Sequence, residues 1–247
     1  MLHLLVKIDV RPDRLPDWHE LARAHAAASA AERGCAAFEV LGGGLSYVLR
    51  EVWRDERALE AHRLTPHYAR WRSLVAGIEA APRTHERYAG PAKVVPAALL
   101  PAIAAAARAR GRTVAFANGC WDLLHPGHVA CLAEAREQAD VLVAAVNSDG
   151  SVAALKGAGR PVLPLADRVA LLSALAAVDY VVRFDAPTPL ELVRALRPDV
   201  LVKGAEYEGR AVAGAEYAGR VHLAAMRGDH STTRLVGLLE KSMGGIR

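Results

Sequence analysis

At 247 residues, with 52% hydrophobic and 23% charged side chains, the chain has room for one large or two small globular domains and is too apolar for a disordered segment. The net charge of +4 is not gathered into any basic patch, so the composition carries no signature of a nucleic-acid binder. No run is long and apolar enough to span a membrane, and three cysteines (Cys35, Cys120, Cys131), an odd number without metal-ligand spacing, fit a reducing cytoplasm.

Met1–Val10 is apolar but carries Lys7 and Asp9 and no cleavage site, so Leu2–Val10 reads as a first strand rather than a signal peptide. Pro12 and Pro16 mark a turn, Leu15–Arg33 has helical spacing (Trp18, Leu21, Ala22, His25), and Gly34 stops it. Ala36–Leu41 and Ser46–Arg54 are strand-like and joined by Gly42-Gly43-Gly44, a hairpin. Asp55 caps a helix running through His62. Thr65-Pro66 restarts a second helix, His67–Ala80, and Arg83–Tyr88 is a last strand. This β-α-β-β-α-β order predicts an α+β, ferredoxin-like half. Its chemical candidates are His25, His62, His67, Tyr68, Trp53 and Trp71. His62 and His67 flank the Thr65-Pro66 break and can face one cleft; the competing reading makes His62 a helix end and the tryptophans core.

Gly90–Pro101 is Ala/Pro-rich and lacks a hydrophobic period, so residues 91–96 read as a linker between domains at 1–90 and 97–247. A helix over Ala97–Arg110 ends at Gly111. Val114–Ala117 is an apolar run of the kind a buried parallel strand shows. It breaks at Asn118-Gly119, and the chain resumes as a helix from Pro126-Gly127-His128. A strand, a tight loop and a helix N-terminus together bind phosphate, because free N–H groups and the helix dipole point at the anion. Gly127 leaves room for a nucleotide between His125 and His128. Further strands follow at Val141–Val146, Tyr180–Arg183, Val200–Val202 and Val221–Ala224, with helices at Asp167–Ala176 and Thr188–Leu196. The alternation predicts an α/β, doubly wound parallel sheet, which binds ligands at the carboxyl ends of its strands. The His125 loop, Asn147, Lys203 and the loop before Ser231 fall at such ends.

His125-Pro126-Gly127-His128 is an H-x-G-H signature. Around it stand Asn118–Leu124, Val146–Asp149, Leu155-Lys156-Gly157, Val178–Val182, Pro198–Gly204 and Ser231-Thr232-Thr233-Arg234. From about Pro96 onward the chain resembles the heptose 1-phosphate adenylyltransferases and, more distantly, the glycerol-3-phosphate cytidylyltransferases, Rossmann-like enzymes related to class I aminoacyl-tRNA synthetases. In the first half, Glu51–Glu56, Ala61-His62-Arg63 and Thr65-Pro66-His67-Tyr68 resemble the antibiotic-biosynthesis monooxygenase (ABM) domains, nearest the branch containing the phospho-autoinducer-2 isomerase. Trp121 stands where the adenylyltransferases usually have Phe, Glu206 where they have Asp, and the Gly42–Gly44 turn is shorter than the usual ABM hairpin.

The resemblance implies transfer of AMP from ATP to a sugar 1-phosphate, with release of pyrophosphate. The nucleophile is already an anion, so no strong base and no covalent intermediate are expected, and catalysis is alignment plus charge stabilisation. His125 and His128 would stabilise the reacting phosphates, with Lys156, read as part of a glycine-flanked loop (Lys156-Gly157-Ala158-Gly159-Arg160) that can swing onto phosphate, and Thr232 completing the catalytic set. Asn118, Gly119, Cys120, Trp121, Asp122, Gly127, Asn147, Lys203, Gly204, Ser231, Thr232 and Thr233 would bind the nucleotide, and Lys156, Arg160, Glu206 and Tyr207 the sugar phosphate. Asp122 either orients its loop or approaches the metal–phosphate complex. Mg²⁺ is expected with ATP, held mostly by the triphosphate, and no protein-only metal site is expected. The partners are therefore a nucleoside triphosphate and a phosphorylated small molecule, without nucleic acid or membrane. The ABM half would dimerise the chain or perform an accessory isomerase or oxygenase step. Three alternatives stand beside this reading: a cytidylyltransferase using CTP and an alcohol phosphate such as glycerol 3-phosphate, a non-catalytic nucleotide-binding regulator, and a cofactor-free monooxygenase residing in the ABM half.

Overall fold

The computed structural model of the chain describes residues 1–225, 232 and 234–238. They form two compact units. One comprises Met1–Ala92 with Pro101–Arg110, the other Lys93–Leu100 with the chain from Gly111 onward.

The first unit contains β1 (Leu2–Asp9), α1 (Leu15–Ala30), β2 (Cys35–Gly43), β3 (Ser46–Trp53), α2 (Glu56–Arg63), α3 (Pro66–Val75), β4 (Thr84–Ala89) and α4 (Leu100–Ala109). Its strands run antiparallel in the order β2-β3-β1-β4, the arrangement the β-α-β-β-α-β reading requires. Trp18, Leu49, Trp53, Leu59, Trp71 and Val75 fill the core between sheet and helices. The β2–β3 hairpin depends on Gly42, at φ +111°, where a Cβ would lie 2.4 Å from the Ser46 carbonyl oxygen. Asp55 starts α2 by accepting from the Ala58 N–H at 2.8 Å. The break between α2 and α3 is built by Thr65, whose hydroxyl donates to the His62 carbonyl at 2.7 Å and accepts from the Tyr68 N–H at 3.3 Å, with Pro66 opening α3.

The second unit contains β5 (Val114–Gly119), α5 (Pro126–Glu137), β6 (Val141–Asn147), α6 (Asp149–Lys156), α7 (Leu165–Ala174), β7 (Tyr180–Phe184), α8 (Leu190–Leu196), β8 (Val200–Gly204) and β9 (Arg220–Ala224). All strand pairs are parallel, in the order β7-β6-β5-β8-β9, a Rossmann-like sheet. Every residue of β6 is buried, as a central strand covered on both faces must be. The strand order reverses between β5 and β8, so the crevice at their carboxyl ends is the switch point of the sheet. Lys93–Val95, read from the sequence as linker, runs along β7: Val94 and Val95 are buried, and the Val95 N–H donates to the Val181 carbonyl at 2.9 Å. Lys156 is not in a loop, as its glycine-flanked sequence implied, but is the last residue of α6, a two-turn helix started by the Ser148 cap. Eight residues are too few for the hydrophobic period to register in the sequence. No helix among the described residues is long and apolar enough to cross a membrane.

Candidate active site

The site is assembled at the switch point. β5 delivers Asn118 and Gly119 to its carboxyl end, and residues 120–125 turn the chain back into α5. Trp121 and Leu123 make that turn in the left-handed region, at φ +51° and +46°. A non-glycine residue holds such a backbone only where its surroundings fix it, and both the indole and the neighbouring carboxylate are fixed. Trp121 is 5% exposed and donates its indole N–H to the Ala145 carbonyl of β6 at 2.8 Å. It packs in the core, with its ring edge-on to His128 at 5.3 Å.

Asp122 is buried. Its carboxylate accepts from the Arg160 guanidinium at 2.7 Å and from the N–H groups of Val162 and Leu163 at 3.0 Å. Burial alone would raise its pKa, but these N–H groups and Arg160 outweigh that and hold it below the usual carboxylate range. Asp122 thus orients the 160–163 segment, with both carboxylate oxygens accepting hydrogen bonds. Its own carbonyl accepts from the Thr232 hydroxyl at 2.7 Å, which ties Thr232 to the loop.

His125 caps α5, its Nδ1 accepting from the His128 N–H at 3.4 Å. The two imidazoles stack with centroids 3.7 Å apart and planes 20° from parallel. Burial, then the neighbouring His125, push the His128 pKa down to about 4, so this ring is neutral at physiological pH. A neutral imidazole offers one N–H and one lone pair, so it can donate to a phosphoryl oxygen. The backbone N–H groups of the first turn of α5 point the same way.

Across the crevice, Lys203 ends the buried part of β8. Its ammonium donates to the Asn118 side-chain oxygen at 2.7 Å and lies 4.7 Å above the Tyr207 ring. Burial lowers its pKa against the opposing pull of Glu206. The Glu206 carboxylate folds over Gly204, where a Cβ would come within 2.1 Å of it. Asn147 is buried at the end of β6 and donates to the Ser151 hydroxyl at 2.9 Å. Burial raises the Cys120 thiol, so it is a packing residue rather than a thiolate. Lys156 is exposed at the end of α6, next to Gly157 at φ +90°. Ser231 and Thr233 lie outside the described residues.

Sequence reasoning missed Arg168. It is fully buried on α7 and donates to the carbonyls of Cys120 (2.6 Å), Asn147 (2.8 Å) and Leu163 (3.0 Å) and to the Asp149 carboxylate (2.6 Å). One guanidinium thus joins the H-x-G-H loop, the end of β6 and the 160–163 segment, using the fork geometry that lysine lacks. The signal was present: Leu165, Arg168, Val169 and Leu172 share one helical face, and a lone arginine on an apolar stripe must be paired. His62 and His67 belong to the first unit and gather instead with Glu32, at 2.6 and 3.0 Å.

Residues 116–231 match the cytidylyltransferase-like family and residues 1–74 the antibiotic biosynthesis monooxygenase family. The bifunctional protein HldE of Caulobacter sp. (strain K31) is 50% identical over 149 residues, covering 58% of this chain and 30% of that protein. The HldE of Acidiphilium cryptum (strain JF-5) is 54% identical over 133 residues, covering 52% and 27%. The chain thus spans under a third of the length of these relatives. A solved structure from Nitrosomonas europaea described as an antibiotic biosynthesis monooxygenase is 30% identical, with a TM-score of 0.36, covering 36% of this chain and 98% of that one. The chain joins an antibiotic biosynthesis monooxygenase domain to a cytidylyltransferase-like domain bearing the H-x-G-H motif.

Proposed function

We propose that the second unit is a nucleotidyltransferase that moves AMP from ATP to a sugar 1-phosphate of the heptose 1-phosphate type. The observation that carries this reading is the stacked His125–His128 pair at the N-terminus of α5, at the switch point of a parallel sheet where Lys203 binds the Asn118 side chain at the end of β5. The HldE relatives match over the region that resembles the heptose 1-phosphate adenylyltransferases, which supports ATP and a sugar phosphate as the substrates.

In the reaction a phosphate oxygen of the sugar 1-phosphate attacks the α-phosphorus of ATP. The new P–O bond forms as the bond to the β-phosphate oxygen breaks, and pyrophosphate leaves with that electron pair. The protein aligns two anions and stabilises the charge that builds on the α-phosphoryl oxygens. His125, His128 and the first N–H groups of α5 face the transferring phosphate. Thr232 and the flanking Ser231 and Thr233 take the β- and γ-phosphates, Lys203 contacts the nucleotide or the acceptor phosphate, Lys156 swings onto phosphate, and Arg160, Tyr207 and Glu206 line the acceptor side. ATP enters as its Mg²⁺ complex, with the ion held mostly by triphosphate oxygens. Asp122, engaged by Arg160 and two N–H groups, orients the loop beside the triphosphate in this reading. The first unit would dimerise the chain or carry a separate small-molecule step, in a cytoplasmic enzyme.

Pyrophosphate release measured with ATP or CTP, against heptose 1-phosphate, other sugar 1-phosphates and glycerol 3-phosphate, tests this reading. ATP with a sugar 1-phosphate supports it. CTP with glycerol 3-phosphate, or no release with any pair, overturns it.

A further inference from the structure

The first unit contains a group of side chains that the adenylyltransferase reading leaves unused. Glu32 lies in the turn after α1, His62 on the last turn of α2 and His67 at the second position of α3. The Thr65-Pro66 break sets the two helix ends so that both imidazoles reach the same carboxylate oxygen: His62 Nδ1 at 2.6 Å and His67 Nε2 at 3.0 Å from Glu32 Oε1. The three donor atoms all lie within 4.8 Å of one another. Behind them stands His25, 3% exposed, with ring centroids 5.4 Å from His62 and 5.6 Å from His67, and with both ring nitrogens buried and without a hydrogen-bond partner. An unpaired buried imidazole is costly and calls for a ligand or a role. His25 and His67 also line a cleft of about 560 Å³, whose wall continues through Leu21, Arg70 and Trp71.

We propose that Glu32, His62 and His67 form a binding site for one divalent transition-metal ion of the zinc class, with its remaining coordination position directed toward His25 and the cleft. Two imidazoles and one carboxylate are a recurrent donor set for zinc and its neighbours. Ligand bonds of roughly 2.0–2.2 Å at tetrahedral angles place donor atoms roughly 3.3 Å apart. The separations of 2.6 Å, 3.0 Å and at most 4.8 Å bracket that spacing, so side-chain shifts of under an ångström seat the ion. The ion would take the place of the ring protons now shared with Glu32. His62 is fully buried, while Glu32 and His67 are 18% and 25% exposed, which gives the ion an entry path from the cleft side. Three protein donors leave a position for water or a small oxygen ligand, the pattern of a reactive rather than a closed structural site. The ligands are separated by 30 and 5 residues, so no metal-binding motif shows in the sequence.

Co²⁺ titration of the full chain after chelator treatment tests the site, followed by visible absorption and elemental analysis, with Zn²⁺ as competitor. The expected result is one ion per chain, with the absorption of four-coordinate Co²⁺ bleached by Zn²⁺. Removing a ligand must cost more than the roughly 10- to 100-fold typical of an outer-shell change, so Glu32→Gln and His67→Ala weaken binding by at least about 100-fold. Glu32→Gln keeps the shape of the side chain and His67 is partly exposed, so both variants fold, which circular dichroism verifies. Pyrophosphate release by the second unit stays unchanged in both, which keeps this site's failure distinguishable from failure of the transferase reading. Absence of Co²⁺ uptake by the parent chain overturns the proposal. So does equal affinity in the parent and both variants, which would locate the ion elsewhere and leave the cluster an ion-pair network.

Discussion

His125 and His128 were legible because they stand three residues apart within one motif, and the helix that follows fixes both. Arg168 and the role of Asp122 were not, because their partners lie far along the chain: Arg168 reaches back 48 residues to Cys120, and Asp122 forward 38 to Arg160. The apolar stripe of α7 marks Arg168 as a buried guanidinium that must be paired, but spacing cannot show which four groups it joins. Arg168→Met leaves three carbonyls and a carboxylate without their donor, and is expected to destabilise the chain by about 3–5 kcal/mol in denaturant unfolding. A loss below about 1 kcal/mol would mean that water replaces the guanidinium without penalty. In the first unit, His3 is fully buried with Nε2 3.1 Å from the Pro91 carbonyl oxygen, and burial, then Arg50, push its pKa down to about 4. The folded state therefore holds His3 neutral while the unfolded chain takes up a proton below about pH 6.5. Its stabilisation is complete above pH 6.5 and is lost as pH falls through 4, a change on the order of 3 kcal/mol. Unfolding midpoints at pH 7 and pH 5 should separate in the parent chain, and the separation should shrink in His3→Gln, with the remainder carried by His25 and His128, whose pKa values burial also lowers. An unchanged separation in the variant would assign the pH dependence to other groups.

The strands and longer helices were read correctly because each carries its own pattern: β6 is apolar up to Asn147 at its carboxyl end, and α1 carries Trp18, Leu21, Ala22 and His25 on one buried face. The caps at Asp55 and Thr65 were also visible, since Asp and Thr-Pro have few other uses before a helix. Short elements escaped. The two turns of α6 show no period, so Lys156 looked like a loop residue, and the pairing of Val94 with Val181 depends on a partner strand 87 residues away that local sequence does not reveal. The position of Lys156 matters to the proposal. An exposed lysine at the end of a short helix, beside Gly157 at φ +90°, can swing onto phosphate without disturbing the core. Lys156→Ala is expected to lower kcat by about 10- to 100-fold, the worth of one charge-assisted hydrogen bond, while Tm stays unchanged. A fall in Tm with kcat preserved would make it a structural residue instead.

At the scale of the whole molecule, the order of secondary elements alone indicated an antiparallel α+β unit followed by a parallel α/β unit, because each order is compatible with few topologies. The extent of each unit was less accessible: Pro101–Arg110 groups with the first unit although it follows Lys93–Leu100, which groups with the second. Tertiary contact decides such grouping, and composition does not carry it. If the first unit dimerises the chain, sedimentation equilibrium of the full protein returns twice the 26.3 kDa chain mass, whereas a monomer at micromolar concentration would remove that role. The central claim is that the stacked imidazoles of the H-x-G-H loop stabilise adenylyl transfer. It is tested most directly by pyrophosphate release from Mg²⁺-ATP and heptose 1-phosphate in the parent chain, His125→Ala and His128→Ala. Loss of an electrostatic donor in a preorganised site costs about 100- to 1,000-fold in kcat, so both variants should fall by at least that factor while remaining folded. Release that persists at the parent rate in either variant would contradict the account.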